Sequence, residues 1–314
     1  MTAAGSAIVT GGTGMLALAL ERFLAGEGAA VILVVRPGSP RLSQMDVSPG
    51  TRVVECDLGN LLSLNQERLG RCGAFYHFGW EGTFGPARDD AVLQCGNIRH
   101  TLDAAALAAR LGCGVFVGAG SQAEYGRPGG VLTPSAPARP ETCYGIAKLA
   151  AGALSRAACR QLGVRHVWAR VLSAYGPGDN AQAMMMSCIR SLLRGERMSF
   201  TAGEQRWDYL YCGDAARAFH LMGAHGRDGA VYPLASGRPR TLGQYILAAR
   251  DALDPAVEVG LGELPYPPGQ VMALEADIAA LTRDTGFTPA VPFEEGVRLT
   301  ANWLRTKFYR SDSQ

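Results

Sequence analysis

The sequence predicts an α/β protein built on a doubly wound parallel sheet, with a smaller C-terminal α/β lobe. Three observations carry that expectation. Short β-branched runs alternate with longer Ala/Leu-rich stretches through the first half of the chain. The first of these runs breaks into a glycine cluster that leads directly into a helical stretch. Beyond Tyr175 the alternation loosens into mixed short segments, as in a second, smaller lobe. Strands separated by helical crossovers can pair in parallel, and right-handed crossovers wind helices onto both faces of the sheet.

Taken in order, Ala7 to Thr10, Ala29 to Val35, Arg52 to Cys56, Ala74 to Phe78, Val115 to Ala119 and Val164 to Val171 read as strands. Leu16 to Ala25, Leu61 to Leu69, Arg88 to Leu111 and Tyr144 to Leu162 read as the helices between them. Past Gly176, Pro177 and Gly178, a Met-rich helix is expected near Ala183 to Arg194. Pro265 to Pro268 is a surface loop by composition, and Phe293 to Lys307 is a closing amphipathic helix. Met184, Met185 and Met186 suit adaptable packing or an apolar part of a pocket.

Composition narrows the function classes. In the 314 residues, 30 Lys+Arg against 28 Asp+Glu leave a formal charge of +2, too balanced to advertise a nucleic-acid or membrane partner. With 47% hydrophobic and 18% charged residues, against about 25% charged in a typical domain, the chain can bury a large core. Residues 1 to 20 are uncharged but lack a positive leader region, and Leu111 to Ala123 is too short to span a bilayer. A cytoplasmic protein is expected. None of the 8 cysteines stands in a C-x-x-C spacing, so they read as buried small hydrophobes in a reducing compartment. The 5 histidines show no ligand spacing, and no metal is expected.

Ile8-Val9-Thr10-Gly11-Gly12-Thr13-Gly14-Met15-Leu16-Ala17 runs from strand through glycine turn into helix. Glycines there let the backbone approach a pyrophosphate, and the amides that open the helix face its charge. Gly11, Gly14, Met15 and Leu16 are therefore expected to bind a dinucleotide in a Rossmann-type domain. After the second strand the chain reads Val34-Val35-Arg36-Pro37-Gly38-Ser39, with no acid at the tip. An Arg there pairs with a 2′-phosphate whereas an acid reads a free ribose, so NADP(H) is favoured over NAD(H) unless Arg36 is only an exposed loop residue. Asp57, in Cys56-Asp57-Leu58, is placed either to touch the adenine or to cap the next helix.

Tyr144-Gly145-Ile146-Ala147-Lys148 sets a phenol and an ammonium on one helix face. The adjacent Lys and the charge of a nicotinamide are together expected to draw the phenol from about 10 toward useful acid/base work near neutrality. Ser121 ends a buried strand at the edge that faces the ligand crevice of a parallel sheet, where it can bond a substrate oxygen beside Tyr144. Trp80, after the fourth strand, reads equally as crevice lining or as exposed loop.

With these residues in place the chain resembles the extended short-chain dehydrogenase/reductase family of nucleotide-sugar epimerases, dehydratases and reductases. The match is carried by Thr10 to Ala17, Asp57-Leu58, Asn97, Ser121 to Gly126, Tyr144 to Lys148, Tyr175-Gly176-Pro177 and Asp208-Tyr209. The resemblance implies Ser121, Tyr144 and Lys148 as catalytic residues. It implies a cofactor contact for Tyr144 and Lys148 and also for Asp57, Leu58, Phe78, Gly79, Asn97 and Leu172, and a nucleoside-diphosphate sugar near Trp80, Gln122, Ser173, Arg206 and Trp207. It further implies a dinucleotide-binding domain over residues 1–175, rejoined by about 207–235, with 176–314 mainly a substrate lobe.

Family dehydratases carry Asp-Glu directly after the catalytic hydroxyl, where this chain has Gln122 and Ala123, so dehydration is not expected. Ser173 stands where the family commonly has Asn, and Trp207 where it has an Arg that binds diphosphate, with Arg206 shifted by one. The expected function is NADPH-dependent reduction of a nucleotide-linked 4-keto sugar; the alternatives are C4 epimerisation with retained NAD and a non-catalytic dinucleotide sensor. The Ala-rich faces of the two long helices, which in that family form a dimer's bundle, imply a homodimer.

Overall fold

The computed structural model describes residues 5–127 and 129–308, so 1–4 and 309–314, the outer ends of the two expected domains, lie outside the described residues. The first half runs β1 (Ala7–Thr10), α1 (Met15–Gly26), β2 (Val31–Val35), β3 (Arg52–Glu55), α2 (Gln66–Leu69), β4 (Ala74–His77), α3 (Ala91–Arg110), β5 (Val115–Ser121), α4 (Cys143–Leu162) and β6 (Arg165–Val171). The second half begins with β7 (Ser173–Tyr175), α5 (Met184–Leu193), β8 (Met198–Ser199), β9 (Arg206–Trp207), β10 (Tyr209–Tyr211), α6 (Cys212–His225) and β11 (Ala230–Leu234). It ends with β12 (Arg240–Thr241), α7 (Leu242–Leu253), β13 (Val259–Gly260), β14 (Ala273–Leu274), α8 (Ala279–Thr285) and α9 (Phe293–Phe308).

Among the described residues, one sheet joins seven strands in the order β11-β6-β5-β4-β1-β2-β3, every pair parallel. The chain moves outward from β1 to β3, then restarts at β4 on the other side of β1. That reversal opens a crevice at the carboxyl ends of β1 and β4. Residues of α1 and α6 pack on one face of the sheet, and α3 and α4 cover the other. Trp168 of β6 fits beneath α4 because Gly118 and Gly152 leave it room: a Cβ on either would stand 2.2 or 2.7 Å from its indole. Truncating a buried aromatic of that size costs about 3–5 kcal/mol.

The expected helix over Leu61 to Leu69 is instead a 3₁₀ turn, Leu58–Ser63, followed by the single turn α2. Asn65 breaks the two apart: its side chain accepts the Arg68 N–H at 3.0 Å, capping a new helix instead of continuing the old one. Likewise α3 starts three residues later than expected, because Asp90 accepts the N–H groups of Val92 and Leu93. β5 runs two residues further than its apolar core, pairing Ser121 with Val171.

In the smaller lobe α5, α7 and α9 enclose Met185, Met186, Ile189, Tyr245, Phe293 and Val297, so Met185 and Met186 serve as core packing. Trp207 lies in β9, between β12 and β14. The return to the main sheet is made by α6 and β11, and Leu281 and Phe287 join the core beneath α6. Ala104, Ala105, Ala108 and Ala151 are buried within the chain. These small residues let α3 and α4 approach each other and the sheet, while Ala153 stays exposed. Among the described residues no helix is long and apolar enough to cross a membrane.

Candidate functional site

A cleft of about 620 Å³ lies over the carboxyl ends of the central strands. Its floor is the turn after β1. Gly11 has φ +72, and a Cβ there would lie 2.8 Å from the Gly79 backbone nitrogen, so only glycine lets the β1 and β4 ends come together. Thr10 Oγ1 reinforces the junction by accepting the Gly79 N–H at 3.2 Å and bonding His77 Nδ1 at 2.8 Å. Burial holds His77 neutral, pulled down to about 3. Gly14 occupies the N-cap of α1 and offers no side-chain acceptor, which leaves the first-turn N–H groups to an anion. A glycine cradle that a Cβ would fill, capped by a free helix start, fits a dinucleotide pyrophosphate.

Gly11, Gly14, Met15, Leu16, Arg36, Asp57, Leu58, Phe78, Gly79 and Leu172 all line this cleft. Asp57 holds the N-cap position of its 3₁₀ turn but accepts no capping bond, so its carboxylate is left to the cleft. Arg41, which sequence reading missed, lines the same cleft as Arg36; it follows a proline loop that carries no motif. Asn97 does not line the cleft. It is buried behind the loop after β4, accepting the Glu81 N–H at 2.8 Å and donating to the Glu81 carbonyl at 2.9 Å.

Ser121, Tyr144 and Lys148 meet in the cleft. Ser121 ends β5 and caps the following 3₁₀ turn, accepting the Ala123 N–H at 3.2 Å. Thr142 caps α4 by accepting the Gly145 N–H at 3.1 Å. Gly145 lets that helix start press on the Ser121 turn, since a Cβ would sit 2.4 Å from the Ala123 carbonyl oxygen. The Lys148 Nζ donates to the Ala119 carbonyl at 2.7 Å and lies 3.7 Å over the Trp80 ring.

In the chain by itself, Lys148 is not among the groups that act on the Tyr144 phenol. Burial pushes the phenol up from its usual value, and the opposing influences are the Ser121 hydroxyl and Arg88, while the Glu124 charge adds to the rise. The Lys148 ammonium faces Trp80 and the β5 carbonyl, 5.9 Å from the Tyr144 ring centre. Burial also pulls Lys148 down to about 7, against the attraction of Glu124. Glu124 itself is buried and engaged: it accepts from Ser121 N at 2.8 Å, Trp168 Nε1 at 3.0 Å and Arg170 Nε at 2.6 Å.

The residues expected to hold substrate divide. Trp80 lines the cleft, edge-on to Tyr144 at 6.0 Å. Gln122, Ser173, Arg206 and Trp207 do not line it. The Trp207 indole N–H donates to Ser173 Oγ at 2.8 Å, and Arg206 pairs with Glu275 at 3.0 Å. Arg206 is thus engaged by Glu275 within the lobe, with its side chain half-exposed. In their place the cleft wall is formed by Thr83, Phe84 and Arg88 from the loop after β4, and by Asp179 and Asn180 after β7. Burial raises Asp179 to about 6, partly offset by the Asn180 N–H and by Arg41. Only Pro177-Gly178 before Asp179 signalled a turn in the sequence; nothing marked Arg88. Among the described residues no three His, Cys, Asp or Glu side chains converge as around a metal ion.

A sequence profile of the NAD dependent epimerase/dehydratase family matches residues 7–235, and the chain belongs to that family. It is 28% identical over 203 residues to a dTDP-glucose 4,6-dehydratase of Streptomyces niveus, covering 63% of this chain and 59% of that protein. It is 26% identical over 171 residues to the dTDP-glucose 4,6-dehydratase of Salmonella typhimurium, covering 52% of this chain and 47% of that one. The chain thus spans about half the length of these curated relatives. Among solved structures, a UDP-glucose 4-epimerase with UDP-glucose from Thermotoga maritima superposes with TM-score 0.84 at 22% identity, covering 96% of this chain and 99% of that one. RMD from Pseudomonas aeruginosa complexed with NADPH gives TM-score 0.81 at 20% identity, covering 96% and 99%. At these identities the structural likeness is one of fold.

Proposed function

We propose that this member of the NAD-dependent epimerase/dehydratase family is an NADPH-dependent reductase of a nucleoside-diphosphate 4-keto sugar. The observation that carries the reading is the end of β2, where Arg36 and Arg41 both line the groove and the β2 tip carries no acid. Neither Arg takes part in any ion pair found among the described residues. Guanidinium groups match a 2′-phosphate, and a dissociable NADPH suits net reduction. Water elimination is disfavoured because Gln122 and Ala123 follow Ser121, and the neighbouring Glu124 carboxylate is tied to Arg170 and Trp168.

A dinucleotide bound in the groove supplies the hydride. The chain's own residues do the rest: the Tyr144 hydroxyl gives its proton to the carbonyl oxygen, the Ser121 hydroxyl donates a hydrogen bond to the same oxygen, and Lys148 holds the cofactor ribose. Trp80 and Phe84 form the apolar wall against which the sugar packs. The protein acts as a homodimer through the outer faces of α3 and α4, where Val92, Ile146 and Leu154 remain exposed; sedimentation of a Leu154→Glu variant as a monomer checks this.

The test of function is turnover of nucleotide-linked and free 4-keto sugars with NADPH and with NADH. Arg36→Asp should shift the preference toward NADH by tenfold or more, about the worth of one charge-assisted hydrogen bond. Unchanged preference rejects Arg36 as the phosphate reader, and NAD⁺ retained on the purified protein replaces reduction with epimerisation.

A further inference from the structure

We propose that Arg88 is the permanent positive charge that stabilises the phenolate of Tyr144, held over that ring by two buried amides of α3; the inference rests on the acid/base reading of Tyr144. Arg88 closes the 3₁₀ turn Gly85–Arg88, and its guanidinium carbon lies 4.3 Å from the Tyr144 ring centre. Its Nη1 donates to the Thr83 carbonyl at 3.0 Å, which fixes the side chain back onto its own loop. It lines the cleft, and no carboxylate pairs with it among the described ion pairs.

The loop is anchored more firmly than its surface position requires. Gln94 Nε2 donates to the Gly82 and Ala87 carbonyls, each at 2.9 Å, while its Oε1 accepts the Trp80 indole N–H at 2.9 Å. One turn on, Asn97 holds both backbone groups of Glu81. Both amides are 1% exposed. Burying two side-chain amides is favourable only when they are bonded, and here their shortest bonds serve one short loop that presents Trp80 and Arg88, with two 3.4 Å contacts of Asn97 staying within α3.

The chemistry follows from the ring. Ionising a phenol spreads negative charge over the aromatic face, so a cation above that face is attracted more strongly after proton loss than before. Arg keeps its charge at every working pH. Lys148 stands further from this ring, its Nζ 5.9 Å from the Tyr144 ring centre and 3.7 Å over Trp80. The other charged groups around Tyr144 do not replace Arg88. Glu124, from the turn after β5, is bonded to Arg170, Trp168 and the Ser121 N–H. Asp89 accepts the Cys143 N–H at 3.3 Å at the start of α4, and Glu81 lies on the cleft wall. Of these acids Glu124 opposes ionisation of Tyr144, while the Ser121 hydroxyl and Arg88 favour it.

The test reads Tyr144 directly. Its ionisation is the near-ultraviolet phenolate absorbance of the protein minus that of Tyr144→Phe, titrated over pH without substrate. Arg88→Met should move the midpoint up by about one pH unit or more, and Arg88→Lys should restore it. The alkaline limb of kcat/KM should move with it, which a merely structural role for Arg88 would not produce. If Arg88→Met melts without a cooperative transition, Arg88→Gln carries the same prediction. An unmoved midpoint in a folded variant overturns the proposal. Because the titration needs no turnover, a shifted midpoint in a protein inactive on keto sugars would reject the substrate reading alone.

Discussion

The groove beneath the glycine turn and the lobe beyond β7 were both expected to contact ligand, and they differ in how their residues are used. In the groove, Gly11, Gly14, Met15, Leu16, Arg36, Asp57, Leu58, Phe78 and Gly79 face one continuous space. Toward the lobe, Trp207 is bonded to Ser173 of β7 and Arg206 to Glu275. The contrast teaches that a site made by backbone shape survives translation from sequence to structure. A site made by long side chains depends on which neighbour reaches them first. A glycine after a strand has few alternatives; an Arg on a two-residue strand has many.

The sharpest way to break this comparison is at its meeting point, Tyr144. Tyr144→Phe should lower kcat by about 10²–10⁴-fold while the dissociation constant for NADPH changes less than about twofold, in the range of a side chain that binds cofactor weakly. Loss of cofactor binding in that variant would mean that groove and catalytic residues are not separable. Next in size is Gly11→Ala. The positive φ and the 2.8 Å approach to Gly79 should cost about 1–3 kcal/mol of stability and abolish NADPH binding, read by thermal melting and by quenching of intrinsic fluorescence. A variant that binds normally would show that the turn is not the pyrophosphate cradle.

Lys148 gives a pH-dependent contrast. Burial lowers it from 10.5 to about 7. Below that value the amine is charged in the folded and the unfolded chain alike. Between about 7 and 10.5 the unfolded chain keeps a proton that the folded chain has released, so this group's contribution to stability rises with pH. The melting temperature of the wild type minus that of Lys148→Met should climb across this window; a level or falling difference contradicts the buried amine. The smallest effect is expected in the lobe. Arg206→Ala breaks a half-exposed pair with Glu275 and should cost less than about 1 kcal/mol, with KM for a nucleotide sugar unchanged within about twofold. A large rise in KM would restore Arg206 to the substrate site.

Legibility followed the same division within the fold. The parallel strands could be read because both faces are covered, and runs such as Val31–Val35 are apolar throughout. The helix expected over Leu61 to Leu69 was not legible, because Asn65 caps a second helix inside an apparently continuous stretch. Arg88 was invisible because no spacing announces a cation that approaches a ring from a loop more than fifty residues away.

Local chemistry therefore determined the order of strands and helices, the glycine turn, and the Tyr144 and Lys148 pair, since each depends on residues within a few positions of one another. Tertiary structure alone decided which cation faces the phenol, that Lys148 turns toward Trp80, and that Arg206 is paired before any ligand arrives. The reason is range. Backbone geometry is set by neighbours along the chain, whereas charge and burial are set by whatever the fold brings within a few ångströms.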